Sequence, residues 1–194
     1  MSSEWTRYYD AAGDDPRPTL LLALELFERD GVERGDAVDL GCGTGRDTFT
    51  LLRRGWTVLA IDAEAEAIDR LLRGAPSTGR LRTQVAQFID ASWPECDLVN
   101  SSFALPFCPP ADLPSVWASI LASLRESGRF SGHLFGDRDG WAGTEGMTFQ
   151  TRTQAEEMLR RFEVEHFDEV EEDGHTATGK PKHWHVFHLV ARRR

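Results

Sequence analysis

At 194 residues the chain is long enough for one domain with a sizeable core and short for two. Its net charge of −10 opposes a polyanionic partner, so nucleic acid is not the expected ligand. No apolar run approaches the ~20 residues of a membrane span, and Met1-Ser2-Ser3-Glu4-Trp5 has none of the basic and apolar regions of a leader. Cys42, Cys96 and Cys108 form no CxxC pair. The expectation is a cytoplasmic chain with reduced thiols, no membrane partner and no metal. Nothing in the sequence sets an oligomeric state.

Residues 1–18 read as an N-terminal arm or lid carrying Trp5, Tyr8, Tyr9 and Arg17, and 19–194 as a single domain. Thr19 can cap a helix that Gly31 ends. Ala37–Leu40 is a short strand, Arg46–Arg54 a helix, and Trp56–Ile61 a strand apolar enough to be covered on both faces. Ala63–Arg73 is a helix, Leu81–Ala86 and Cys96–Asn100 are strands, and Phe103–Pro110 is an apolar loop. Pro114 opens a helix to Arg125, and Ser127-Gly128 turns the chain into a strand over 129–135. Residues 136–150 read as a loop, and Thr153–Glu156 has capping-box spacing for a helix to Arg161. Strands near 162–170 and 183–191 are joined by a turn over 173–182, and the acidic run Glu163–Asp173 reads as a solvated face. Alternating strands and helices followed by a strand pair predict an α/β fold, with a mostly parallel sheet, an antiparallel C-terminal strand and helices on both faces.

The chemistry lies in Asp39-Leu40-Gly41-Cys42-Gly43-Thr44-Gly45, between a strand and a helix. Glycine there allows a sharp turn and the approach of a ligand to bare backbone. The crevice beyond such a turn holds a nucleotide-like cofactor, and Asp62, ending the next strand, can accept both ribose hydroxyls. A dinucleotide turn wants G-x-G-x-x-G, but Thr48 stands where the last glycine belongs. Asp39, two residues before Gly41, is a poor neighbour for a pyrophosphate. It suits the ammonium and sulfonium of S-adenosylmethionine.

D-L-G-C-G-T-G followed by an acid-ended second strand resembles motifs I and II of the class I S-adenosylmethionine-dependent methyltransferases. The Gly45-Arg46-Asp47 continuation and compact size are similar to the tellurite-resistance and thiopurine-type small-molecule branch. Leu124–Phe130 stands where that family has an L-x-P-G-G turn, with Glu126-Ser127 replacing Pro-Gly. The resemblance implies a Rossmann-like, seven-stranded methyltransferase domain using S-adenosyl-L-methionine and releasing S-adenosyl-L-homocysteine. It implies Asp39, Gly41 and Gly43 around the methionine portion, Asp62 and Ala63 at the ribose, and Gln87 and Phe88 at the adenine. Many members have an acid where this chain has Gln87, whose amide oxygen can also accept. Asn100, Ser101 and Ser102 would line the methyl-transfer site.

Tyr9 and Arg17 on the arm are further cofactor candidates, Arg17 for its carboxylate, although an aromatic arm can also simply pack on the sheet. His133, Asn100 and Asp137 are the catalytic candidates; Trp141 is placed to cover an acceptor, and Asp137 or Asp139 to orient an amine. His183 and His185 fall on one strand face and His188 on the other, which is no ready metal site. Cys42 and Cys108 read as inert apolar residues. The expected activity is in-line methyl transfer to a small-molecule acceptor. The alternative is a cofactor-binding module without transferase activity, lacking an acceptor pocket between Asn100, His133 and Trp141. A nucleic-acid methyltransferase would need a basic face, and Asn100–Phe103 does not spell the Asn-Pro-Pro-Tyr type signature.

Overall fold

A computed structural model gives the fold of residues 2–194, with side chains described from Trp5 onward. Its strands are β1 (Asp36–Leu40), β2 (Thr57–Asp62), β3 (Leu81–Val85), β4 (Cys96–Ser101), β5 (Leu124–Gly136), β6 (Phe149–Gln150), β7 (Phe162–His175) and β8 (Pro181–Arg193). Its helices are α1 (Ser2–Ala11), α2 (Pro18–Arg29), α3 (Arg46–Arg53), α4 (Ala65–Gly74), α5 (Leu113–Ser123) and α6 (Arg152–Met158), with a 3-10 turn at Leu105–Phe107. The sheet runs β3-β2-β1-β4-β5-β8-β7, and β6 pairs with the end of β5. Strands β1 to β5 pair with one another in parallel, and β8 is antiparallel to both of its neighbours, β5 and β7. The strand order reverses between β1 and β4, which opens a crevice at their carboxyl ends. None of the helices is long and apolar enough to cross a membrane, among the described residues.

Strand alternation sorts the side chains into two cores. Ala37, Val58, Ala60, Leu98 and Val190 pack with Leu20, Leu24 and Phe27 of α2, Leu51 and Leu52 of α3, and Ile68 and Leu71 of α4. Val38, Leu40, Ile61, Val99, Phe130 and Leu134 point the other way, onto Val116, Trp117 and Ile120 of α5 and Ala155 of α6. In register with Asp39 stand Asn100 on β4 and, beyond it, Ser131 on β5. Period two therefore puts Asp39, Asn100, Ser131 and His133 on the α2–α3 face.

The expected order of elements holds through the chain, with local corrections. Arg17, not Thr19, is the N-cap of α2, because Pro18 takes the first turn where a missing N–H costs nothing. The capping box of α6 is Thr151 with Gln154, both halves formed, not Thr153 with Glu156. Helix α5 ends at Ser123, short of Arg125, because Leu124 already pairs with Cys96 as β5. Ser127 then carries the turn at φ 64°, beside a register shift in β4. The loop over 136–150 ends in the two-residue β6, an eighth strand beside the seven expected. The final hairpin is longer than expected, reaching His175 and Pro181 before its turn. Its acidic strand is not merely solvated: Arg138 bonds Glu169 (3.0 Å) and Glu171 (2.7 Å).

The turn end of that hairpin is held by a buried ion pair. Lys182 Nζ meets both carboxylate oxygens of Asp139 at 2.6 Å, with the two side chains 1% and 0% exposed. The ammonium sits 3.6 Å from the Trp184 ring centre, 4.2 Å from Trp141 and 4.7 Å from Phe135. Asp139 also receives the backbone N–H groups of Trp141 and His185. It is thus spent on structure and not free to orient an amine acceptor. Asp139→Ala leaves the ammonium buried and unpaired, and is expected to lower stability by about 3–5 kcal/mol in urea titrations. Combining it with Lys182→Met should recover most of that loss, and a double variant no better than the single would contradict the pairing.

Candidate active site

The turn after β1 shows why its glycines are needed. Gly41 has φ 76°, and a Cβ there would sit 2.2 Å from Ala104 Cβ and 3.4 Å from Phe88. Gly43, at φ 54°, donates its N–H to Asp62 Oδ2 (2.8 Å), while Glu64 N donates to Oδ1 (2.9 Å). Asp62 is thereby fixed at the end of β2 with acceptor capacity left on each oxygen. Burial raises its pKa and the backbone donors oppose that rise.

Asn100 Nδ2 donates to Asp39 Oδ1 (2.9 Å) and to Asp47 Oδ2 (3.0 Å), so one amide holds two buried carboxyls. Thr48 Oγ1 donates to the other Asp39 oxygen at 2.6 Å. This is what threonine does at the position where a dinucleotide turn has glycine. Asp47 Oδ1 accepts the N–H of Arg17, which ties the start of α2 to the same cluster. Asn100 Oδ1 accepts in turn from Ser131 Oγ (2.8 Å). Burial and the neighbouring Asp47 push Asp39 up to about 7, against the pull of Thr48 and Asn100.

Several expected site residues lie elsewhere than the strand ends suggested. Asn100 and Ser101 are fully buried and do not line an open cleft. Asn100 orients the acids, and Ser101 Oγ donates to Leu40 O (2.8 Å), pinning β4 to β1 on the opposite face. Asp137 lies at the rim, 3.6 Å from Arg138 and 3.7 Å from the buried His185. His133 is fully buried under Phe103, and burial, His188 and Arg17 lower its pKa well below the usual range. Burial also pushes the Cys42 thiol up, consistent with an inert side chain. Gln87 and Phe88 line a hollow of about 190 Å³ together with Ile89, Cys108, Pro109 and Asp112. Ala63 contributes a backbone hydrogen bond to Asp62.

The arm forms a helix that rests on this turn. Tyr9 is buried, with its ring 3.9 Å from where a Gly43 Cβ would be. Burial, Asp62 and Glu64 raise its phenol pKa. Thr6 bonds Glu66 on α4 at 2.6 Å, and Trp5 meets Phe107 with ring centres 5.0 Å apart. Arg17 lies over the Phe103 ring at 4.6 Å, and burial and the Arg46 charge lower its pKa. Asp47 and Thr48 were not among the expected site residues. The Gly-Arg-Asp continuation was the available signal for Asp47, but its role depends on contacts 30 and 53 positions away.

A proton on Asp39 makes stability depend on pH. The folded chain keeps it to about pH 7, whereas an unfolded aspartate loses it near ~4. Between those values the native state holds more protons, so this group favours unfolding increasingly as pH rises. Urea midpoints of wild type and Asp39→Asn are expected to diverge from pH 4 to 7, with wild type declining relative to the variant. Parallel profiles would contradict the raised pKa.

Comparison with known proteins agrees with this geometry. Residues 37–128 match the methyltransferase domain family. An uncharacterized methyltransferase of Synechocystis is 32% identical over 94 residues, which is 48% of this chain and 44% of that one. The chain thus spans less than half the length of the curated relative it matches. Among solved structures, TehB of Haemophilus influenzae superposes with TM-score 0.79 at 16% identity, covering 92% of this chain and 62% of that one. Magnesium protoporphyrin IX methyltransferase of Synechocystis with bound S-adenosylhomocysteine gives 0.74 at 13% identity, covering 100% and 95%. A Burkholderia thailandensis N1-methyltransferase, holding 1,6-didemethyltoxoflavin and S-adenosylhomocysteine, gives 0.65 at 22% identity, covering 91% and 78%. Residues 37–128 thus match a methyltransferase domain, and the chain shares the fold of these solved methyltransferases.

Proposed function

We propose that the chain is an S-adenosylmethionine-dependent methyltransferase acting on a small-molecule acceptor. The observation that carries this reading is the buried pair Asp39 and Asp47, sharing the Asn100 amide beside the glycine turn. Two carboxyls this deep need a compensating positive charge, and an amino-acid ammonium supplies it. Arg17, with the Arg46 charge near it, suits the carboxylate of the same amino-acid portion. Asp62 would take the ribose hydroxyls, with Ala63 beside it, and the hollow at Gln87 and Phe88 the adenine. When bound, S-adenosylmethionine supplies an activated methyl group on a sulfonium.

The residues of the chain position and enclose. Asn100 and Thr48 keep Asp39 oriented, so the acid is in place before a ligand arrives. Residues 1–18 act as a lid through Tyr9 over the turn and Trp5 against Phe107, excluding water from the reacting centre. The domain they close upon is 19–194. A small acceptor is favoured because the described residues add no large insertion to the α/β frame. The Burkholderia and Synechocystis enzymes named above act on 1,6-didemethyltoxoflavin and magnesium protoporphyrin IX, which supports the same class here. The acidic balance and absence of a membrane-crossing helix among the described residues favour a cytoplasmic enzyme without nucleic-acid partners.

Calorimetry with S-adenosylhomocysteine tests the cofactor half. Asp62→Ala is expected to weaken binding about 10- to 100-fold, the scale of hydrogen bonds to a charged group. Wild-type affinity should rise as pH passes 7 and Asp39 ionises, while Asp39→Asn binds weakly with a flatter profile. Absence of binding to wild type, or equal binding to Asp62→Ala, would refute the assignment. Labelled-methyl transfer across thiols, amines, phenols and oxyanions tests the other half, and silence in every class would favour a binding module.

A further inference from the structure

The α2–α3 face holds a second polar group besides the acids. His133 follows Ser131 by two positions on β5, so its Cα lies roughly 7 Å further toward the strand ends on that face. Its side chain is fully buried, and neither Nδ1 nor Nε2 has a hydrogen-bond partner among the described residues. Buried imidazoles nearly always pair at least one nitrogen, so two unmet nitrogens mark a place where something else binds.

The surroundings say what kind of molecule that is. Phe103 stacks on the imidazole with centroids 4.0 Å apart and planes at 22°. His188 meets it edgewise at 4.7 Å. Trp184 and Phe135 each stand about 6 Å from the Phe103 ring, at 6.2 Å. The surroundings are thus aromatic, and the unmet atoms lie in the imidazole plane, so a partner would bond them edge-on. Phe103 is only half-buried and holds a left-handed backbone at φ 55°, which is unfavourable for a bulky residue and is found at sites that switch. Burial, the neighbouring His188 and the charge of Arg17 favour the neutral imidazole, leaving one nitrogen to accept and one to donate.

We propose that this is the acceptor subsite, that it takes a planar hydroxylated aromatic molecule whose O–H donates to a His133 nitrogen, and that Phe103 is the gate over it. The inference rests on the methyltransferase reading, because it assigns the acceptor for that activity. His133 is a binding residue here, and Phe103 a positioning residue that acts by moving.

The probe is 2-naphthol, with naphthalene as the control lacking the hydroxyl. Binding of each is measured by calorimetry on the full chain in saturating S-adenosylhomocysteine, whose own affinity is measured first. Wild type is expected to bind 2-naphthol at least 10-fold tighter than naphthalene. His133→Phe keeps a ring in the stack but removes both nitrogens. It should keep its melting temperature and its S-adenosylhomocysteine affinity, and bind the two probes equally. Phe103→Gly relieves the left-handed backbone and opens the gate, and should bind 2-naphthol several-fold tighter. Equal affinity of wild type for both probes, or undiminished 2-naphthol binding by His133→Phe, would overturn the proposal. A His133→Phe variant that melts earlier while binding 2-naphthol normally would point to a buried water on His133, and would overturn it too. Failure of S-adenosylhomocysteine to bind wild type would instead strike the underlying reading and is seen separately.

Discussion

Two carboxyl groups held by one amide are the constraint around which the crevice is built. Asp39 and Asp47 are 2% and 4% exposed, and burial and the neighbouring Asp47 oppose ionisation of Asp39. Asn100 eases this by donating one hydrogen bond to each, and Thr48 adds another. For these donors to meet, β1, β4 and β5 must align Asp39, Asn100 and Ser131 in one row. A slip of one residue would turn the whole set to the α5 face, where the neighbours are apolar. The register of the central strands is thus tied to the chemistry of the crevice. The residual strain shows in the raised pKa of Asp39, which a cationic ligand relieves.

The same cluster connects the arm to the domain. Arg17 donates its N–H to Asp47 and lays its guanidinium over Phe103. One residue therefore touches both the acids proposed for the cofactor and the ring proposed as the acceptor gate. Tyr9 stands over Gly43 close to Asp62, and Trp5 reaches Phe107 at the other side of the crevice. Displacement of the arm would uncover both subsites together. That is the behaviour the proposed lid needs in a reaction sensitive to water.

The fold was legible because its signals are local. Glycines that need positive φ, apolar strands of five or six residues and amphipathic helices each declare themselves within a short window. Asp39 and Asp62 were readable for the same reason, each ending a strand beside the turn. What stayed hidden depends on partners distant in sequence. Lys182 looks like a turn residue until Asp139, 43 positions away, is seen to pair with it. Thr48 reads as a missing glycine until its hydroxyl is found on Asp39. Asn100 ends its strand as a polar residue, but only the register shows that it faces two acids and not the solvent. Two overlapping capping patterns, beginning at Thr151 and Thr153, cannot be ranked without the helix start. Strand β6 has two residues and no period to detect.

The crevice has two poles of different physical character, and their separation bears on reactivity. At one pole, buried acids create a negative field suited to an ammonium and a sulfonium. At the other, Phe135, Trp184 and a neutral imidazole, covered by Phe103, offer apolar area with a single hydrogen-bonding edge. A methyl acceptor must approach the sulfonium as an electron-rich atom, and a strongly anionic one would be drawn toward cations and repelled by the acids. A neutral hydroxylated ring avoids that conflict: it packs by area and aligns through one hydrogen bond. The low-dielectric pole also disfavours charge on His133, so its nitrogen can receive a hydrogen bond without competing as a cation with the cofactor. Orientation, more than acid–base strength, is what such a site contributes, which fits a reaction whose leaving group is already activated.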